Sequence, residues 1–395
     1  MTRFWHTAVT TLIMVCQSTQ ALALGGIALL LPLIRQDLGL TFAQAGMLSA
    51  ASGLVYAAMQ IPSGYLADRW GPKALFITGA IGANLMTLTF ALIESYPLLL
   101  LNQGVSGFFR ALIFTPGMLL MQAQFAEGRR ATASGLAIAG GLIFNVALNL
   151  TGPLLVVSLG WRGLLMICAV GILLAACGFA AMGPGPRPSG RTPLSPAELP
   201  ALIKLPLLQW AGAVNFVRHA VVNGWNFWLP TYLTAEKELT LVMAGVLVAI
   251  STALTVPSNF LGGYLSDQLG RPIGVIIASF IMLGVGLVLL AQADSLPFIV
   301  LAVSIVGMFI QFSFGAAFAY PVKIIGSRSA GFVSGFSNTC ANLGGLSAAY
   351  ALGVVKDTTG AFAPGLYALT LTCTFGVLAA LMLGRSGKSQ AARRS

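Results

Sequence analysis

Apolar residues run in long blocks along this chain, and polar or charged residues collect in short segments between them. With glycine, proline and charge as punctuation, twelve blocks stand out, at approximately 9–34, 42–66, 73–93, 97–125, 132–157, 163–182, 205–233, 241–265, 273–292, 297–324, 331–355 and 363–384. About 20 apolar residues cross a bilayer as one helix, so each block predicts a membrane-spanning α-helix. The pattern therefore predicts an all-α membrane protein with twelve transmembrane helices. The first block follows Arg3 and continues unbroken through "LGGIALLLPLI", which reads as a retained first span and not as a cleaved leader.

Between the sixth and seventh blocks lies "GPGPRPSGRTPLSPAELP", rich in Pro, Gly and Ser, a composition that reads as a linker. It divides the chain into an N-terminal six-helix bundle at 1–182, a linker at 183–204 and a C-terminal six-helix bundle with a short basic tail at 205–395. The halves also repeat. "GYLADRWG" at 64–71 returns as "GYLSDQLG" at 263–270, and Ser134-Gly135 returns as Ser334-Gly335. An offset near half the chain length implies two related, pseudo-symmetric bundles.

Composition sharpens the solvent assignment. The chain is 57% hydrophobic and 8% charged, where a soluble domain carries about 25% charged residues. The net charge of +11 invites a nucleic-acid reading, but no basic run is interleaved with aromatics as such a face requires. Charge instead sets topology. With the N-terminus in the cytoplasm, fifteen Lys/Arg fall on cytoplasmic segments and four (Arg35, Arg162, Lys237, Lys356) outside, so the positive-inside rule places both termini in the cytoplasm. The expected location is the cytoplasmic membrane. Cys16, Cys168, Cys177, Cys340 and Cys373 lie in apolar blocks without paired spacing, and neither a disulfide framework, a metal site nor a cofactor is expected.

"GYLADRWGPK" after the second block resembles the loop signature of the major facilitator superfamily, and its degenerate second copy follows the eighth block. The resemblance covers the whole chain. It implies the major facilitator fold, two bundles that rock around a midplane site, and a cytoplasmic gate drawn from Gly64, Asp68, Arg69, Gly71 and Lys73 with Asp267 and Arg271 in the second copy. The competing reading makes Asp68 and Asp267 caps of the following helices. "FWLPTYL" (227–233) and "SGFSNTCANLGG" (334–345) resemble the anion:cation symporter family of organic-anion carriers. Many members of the superfamily carry an arginine where Gln103 stands here, whereas this chain carries Arg110 seven residues later on the same helical face.

Arg110 and Arg218 are the two basic residues well inside spans and away from their ends, in the fourth and seventh. A charge at the centre of a membrane helix costs about 2.5–3.5 kcal/mol on insertion scales, which marks such residues as candidates for function. All ten acidic residues fall in loops or the linker, so no carboxylate within the spans can pair with either arginine. An arginine stays protonated. Two unpaired guanidinium groups are then most readily satisfied by an anion, and their planar fork suits carboxylate or phosphate. The competing reading has each arginine bonded to helix carbonyls or to amides of spans 5 and 11, holding a broken helix in place near Pro116-Gly117. The family resemblance supports the substrate role, since organic-anion carriers hold substrate between arginines of both bundles.

Polar residues at related depth complete the candidate site: Gln17, Gln20, Tyr56, Gln60, Asn145, Asn149, Asn223, Gln311, Asn338 and Asn342. Asn145/Asn149 and Asn338/Asn342 each line one helix face; amides also join membrane helices to one another. His219 is the histidine inside a span and the candidate carrier of a coupling proton, although adjacent residues point about 100° apart, so it and Arg218 face different directions. Trp225 and Trp228 read as an interface belt, with Trp225 a possible lining of the path. No nucleophile, base pair or metal set of an enzyme is apparent. The expected function is secondary active transport of a small organic anion, a mono- or dicarboxylate, by alternating access with proton or exchange coupling. Its partners are that anion, protons and the lipid bilayer, and the expected state is a monomer. Proton-driven efflux of lipophilic solutes and a carrier-like sensor are the alternatives.

Overall fold

A computed structural model of the chain describes residues 3–125, 130–183, 199–326 and 330–392. Among them there is no strand. The first span is one continuous helical rod built of α1 (Arg3–Ala21), a π-helical turn (Leu22–Gly26) and α2 (Ile27–Leu38). There follow α3 (Phe42–Trp70), α4 (Pro72–Phe90), α5 (Tyr96–Gln122), α6 (Arg130–Met182), the short α7 (Leu199–Ile203), α8 (Pro206–Ala235), α9 (Leu241–Leu269), α10 (Pro272–Gln292), α11 (Leu296–Phe309), α12 (Phe314–Ile325), α13 (Ala330–Thr359) and α14 (Ala363–Ala392).

Every predicted span has its helix, with three local departures. Spans 5 and 6 run together as α6, divided by Gly160 at φ 67, ψ 170. Span 1 carries the π turn. Span 10 is broken at residues 310–313, between α11 and α12. The break expected at Pro116-Gly117 is absent: α5 runs through Pro116, the ring being tolerated where neighbouring helices compensate the lost backbone bond. Among the described residues nine helical stretches are long and apolar enough to cross a membrane. α8 and α13 are not among them, because the side chains that make them interesting, Arg218, His219 and the asparagines, interrupt their apolar runs.

Turn chemistry punctuates the rods. Gly39, at φ 62, ends α2 in the left-handed conformation, and Thr41 begins α3 with a capping box: its hydroxyl accepts from the Gln44 amide at 3.1 Å while its own N–H donates to Gln44 Oε1 at 2.9 Å. The repeated loop has the same punctuation in both halves. Gly71 (φ 84) precedes Pro72 at the start of α4, and Gly270 (φ 59) precedes Arg271 and Pro272 at the start of α10. The side chains of Asp68, Arg69 and Asp267 lie outside the described residues. Lys73 is half-buried and Arg271 exposed.

By internal packing the chain forms two units, residues 1–191 with 229–249, and residues 192–228 with 250–395. In the first, α1 packs on α6 and α5 on both α3 and α4, around a core that includes Leu30, Ile34, Leu48, Phe90 and Leu165. Leu241 packs against that core. Nearby, Gly245 sits so close to α6 that a Cβ there would lie 2.2 Å from the Asn149 carbonyl oxygen. These contacts tie the start of α9 to the first six spans. Asp37 forms an ion pair with Arg162 and accepts from Trp161 Nε1 at 3.1 Å. In the second unit α10 packs on α14, α11 and α12.

The two units repeat one helix contact. A Cβ on Gly107 of α5 would lie 2.2 Å from the carbonyl oxygen of Ser52 on α3; a Cβ on Gly307 of α11 would lie 2.8 Å from that of Ser251 on α9. Small residues bring backbones together where lipid supplies no hydrophobic drive between helices.

Gly160 tests the loop geometry directly. Its φ/ψ pair belongs to glycine alone, and Gly160→Ala is expected to destabilise the protein by about 1–3 kcal/mol, read as a lower melting temperature in detergent. An unchanged melting temperature would show that the turn between the halves of α6 adopts another backbone.

Candidate functional site

Arg110 projects from α5 and is 3% exposed. Its Nε donates to Gln20 Oε1 at 2.9 Å and its Nη1 to the Ser52 hydroxyl at 2.7 Å. Gln20 closes the contact from the other side, its Nε2 donating to the Arg110 carbonyl at 2.8 Å. The Tyr56 ring lies 5.2 Å from the guanidinium carbon, within cation–π range. Gln60 follows Tyr56 by about one turn of α3, and its buried Nε2 has no partner among the described residues. Gln20 sits two residues before the π segment, a kind of irregularity that is frequent at functional sites. The segment is crowded by Asn145, whose Nδ2 would stand 2.1 Å from a Cβ on Gly25.

The second unit builds a counterpart. Arg218 on α8, also 3% exposed, donates from Nε to Asn215 Oδ1 at 3.4 Å and from Nη1 to Gln311 Oε1 at 3.3 Å. The Phe314 and Phe318 rings lie 5.0 and 5.7 Å from its guanidinium carbon. Gln311 reaches it from the break between α11 and α12.

The two clusters have exchanged their parts. In the first unit the arginine comes from the fourth span and the glutamine from the first. In the second, the arginine comes from the seventh span, the repeat of the first, and the glutamine from the tenth, the repeat of the fourth. Each residue lies within two positions of the place that the repeat offset assigns its opposite number.

Among the described residues neither arginine is paired with a carboxylate; the ion pair of Arg162 with Asp37 joins α6 to the end of α2. Burial of a charge is costly unless it is hydrogen-bonded. Here amides, a hydroxyl and aromatic faces supply the contacts without cancelling the charge. The amides that meet the arginines come from spans 1, 7 and 10, not from spans 5 and 11 as the competing reading had it.

The other candidate residues are placed less uniformly. Asn149 Nδ2 donates to Asn145 O and Oδ1 at 2.8 and 2.9 Å, leaving its own buried Oδ1 without a partner. Asn223 Nδ2 donates to the Gly345 carbonyl at 2.9 Å, which ties α8 to α13. Asn342 donates to the Asn338 carbonyl one turn back at 2.8 Å. Gln17 packs on Gly117, where a Cβ would meet its Nε2 at 2.3 Å. His219 lies away from the Arg218 partners, against α13: a Cβ on Gly345 would stand 2.7 Å from its Cδ2.

Trp225 and Trp228 correct the interface-belt reading. Both are buried, with indole N–H groups bonded to the Ser251 hydroxyl at 3.1 Å and the Ala349 carbonyl at 2.8 Å. The sequence reading does not include Ser52, Asn215, Phe314 and Phe318, which the structure brings to the two arginines. Asn215 was within reach, one turn from Arg218, and Ser52 carries a repeat signal through Ser251. The two phenylalanines had none, being apolar residues in an apolar span.

Comparison with known proteins accords with this architecture. The chain is 27% identical over 375 residues to a probable sulfoacetate transporter, SauU, of Cupriavidus necator, covering 84% of this chain and 83% of that one. It is 24% identical to a D-galactonate transporter of Escherichia coli, covering 89% of each. It is also 24% identical to a probable nitrate transporter, NarT, of Staphylococcus carnosus, covering 92% and 91%. In fold it is similar to a bacterial homologue of the human lysosomal transporter Spinster, solved in an inward-facing and occupied conformation, at a TM-score of 0.81 with 17% identity and 98% of each chain covered. The nucleoside transporter NupG is similar at a TM-score of 0.75 with 14% identity, covering 98% of this chain and 99% of that one. The family model described as Major Facilitator Superfamily matches residues 13–349, and the chain belongs to that superfamily, as a multi-pass membrane transporter and not an enzyme.

Proposed function

We propose that this transporter carries a small organic anion, a carboxylate or related oxyacid, by alternating access, and that Arg110 and Arg218 are its anion ligands. One observation carries the reading: each unit buries a guanidinium group whose partners among the described residues are all neutral. A charge held in this way is stable in place and still open to a counter-ion. The relatives are named for the anions sulfoacetate, galactonate and nitrate, which favours the same class of cargo here.

Coupling follows from the missing acids. With both arginines permanently charged and no carboxylate in the spans, the unloaded protein holds uncompensated positive charge that is costly to move across a low-dielectric barrier. A bound anion relieves that cost on the return step. Exchange is therefore the favoured mode, with symport of a proton on the substrate or on His219 as the other. The experiment is a thermal-shift screen of the purified protein against mono- and dicarboxylates, sugar acids, sulfonates, nitrate and phosphate, since a ligand of the native state stabilises it. Counterflow in proteoliposomes follows. Internal unlabelled anion should accelerate entry of the labelled one. Uptake that ignores internal substrate and the His219→Gln change, yet follows an imposed pH gradient, would defeat exchange and the histidine and leave protons borne by the substrate.

A further inference from the structure

We infer that Gln20 and Gln311 are positioning residues that set the charge specificity of the transporter, not ligands of its cargo. The inference rests on the anion-site reading of Arg110 and Arg218 and adds to it the residues that keep those arginines charged and aimed.

In both clusters the same guanidinium nitrogens, Nε and Nη1, are engaged by the protein. Among the described residues the Nη2 group and one Nη1 hydrogen of each arginine remain, and these are the donors an oxyanion would meet. Gln20 spends both ends of its amide on Arg110, accepting from Nε and donating to the Arg110 carbonyl. These two contacts fix the orientation of its amide on the arginine, each end keeping one further site, a lone pair on Oε1 and a hydrogen on Nε2. Gln311 holds Nη1 of Arg218 from a helix break, a place where the backbone has no regular ladder to direct it, so the side-chain contact does the directing.

The chemistry of the partner decides the charge. Buried arginines are ordinarily satisfied by carboxylates, and a glutamate at either position would reach the same nitrogen. It would also form an ion pair and cancel the attraction for cargo. An amide gives the same hydrogen bond and leaves the charge intact. The repeat has kept this pairing while swapping which span supplies the arginine and which the glutamine, so the amide recurs as the arginine's partner in both units. The cargo that such a pair of clusters selects carries net negative charge. An amino acid, whose ammonium group finds no carboxylate in either described cluster, is rejected.

The test compares Gln20→Glu with Gln20→Leu, and Gln311→Glu with Gln311→Leu, beside Arg110→Gln and Arg218→Gln, in full-length protein that elutes as a monodisperse species. Affinities for sulfoacetate, D-galactonate and nitrate are read by thermal shift, and KM by uptake. If the amide serves to spare charge, glutamate is the worse substitution: about 30-fold or more weaker binding, the scale of a cancelled charge contact, against about 5-fold for leucine, which removes a neutral hydrogen bond. A merely structural glutamine predicts the reverse order, because glutamate is nearly isosteric and leucine abandons both bonds. Leucine equal to or worse than glutamate overturns the inference while leaving the anion site standing. Unchanged affinity in both arginine variants, or binding of none of the three anions by the wild type, overturns the anion site and the inference with it. Should the Gln20 variants fail to fold, the Gln311 pair decides in the same terms, since it lies in the other unit.

Discussion

Arg110→Gln and Arg218→Gln are each expected to lower uptake of the transported anion by about 30-fold or more while the protein still inserts and elutes as a folded species. The two halves of that expectation have separate physical origins. Insertion becomes easier, because the change removes a charge that costs about 2.5–3.5 kcal/mol at the centre of a span. Recognition fails, because removing one member of a desolvated charge contact costs about 2–5 kcal/mol. Lysine should rescue poorly at either position. It carries a point charge without the fork, and it lacks the Nε that Gln20 and Asn215 hold at 2.9 and 3.4 Å. Near-normal uptake in both glutamine variants, measured with the anion found by the stability screen, would remove the arginines from the transport site.

The second large effect is on stability. Gly262 of α9 faces the break in span 10, and a Cβ there would lie 1.8 Å from the Phe312 carbonyl oxygen and 2.6 Å from its carbonyl carbon. Backbone, unlike the end of a flexible side chain, cannot step aside. Gly262→Val should therefore separate α9 from the α11–α12 break, at a cost of about 1–3 kcal/mol or more for overpacking. It should also displace Gln311, which lies next to Phe312. Gly107→Val should do the same between α5 and α3, where the Ser52 carbonyl stands 2.2 Å away, and Ser52 also accepts from Arg110. Gly171→Ala is the control, with nothing within 4 Å of the added atom. Melting temperature and the monodisperse fraction in detergent report the result. A Gly262→Val protein that melts with the wild type would mean that these helices are farther apart than described.

Both predictions concern residues whose importance was unequally visible in the chain. Arg110 and Arg218 announce themselves, since a charge within an apolar block violates the solvent rule that the rest of the block obeys. Ser52, Phe314 and Phe318 violate nothing, and they become part of a site only because a neighbouring helix brings an arginine to them. Trp225 and Trp228 were misjudged for a related reason. Tryptophan near the end of a span suits the membrane interface, yet these indoles find acceptors on Ser251 and Ala349 and are buried. The amide list shows the same division. Gln20, Asn215 and Gln311 meet arginines, whereas Asn223 and Asn342 donate to backbone carbonyls, and residue type does not separate the two kinds.

What the amino-acid order determined by itself was the number of spans, the two-fold repeat, the glycine-proline punctuation of the repeated loop and the presence of two unpaired charges. These are properties of composition along a line: transfer from water to lipid sums over about 20 residues, and a charge stands out against such a sum wherever the helix points. Only the tertiary structure decided which amide holds which arginine, that the pair is exchanged between the repeats, and that a π turn and a helix break lie beside Gln20 and at Gln311. Those depend on the rotation of each helix about its axis, which steps about 100° per residue. Close contacts such as Gly107 on Ser52 and Gly262 on Phe312 choose that rotation, and residues far apart in the chain make them.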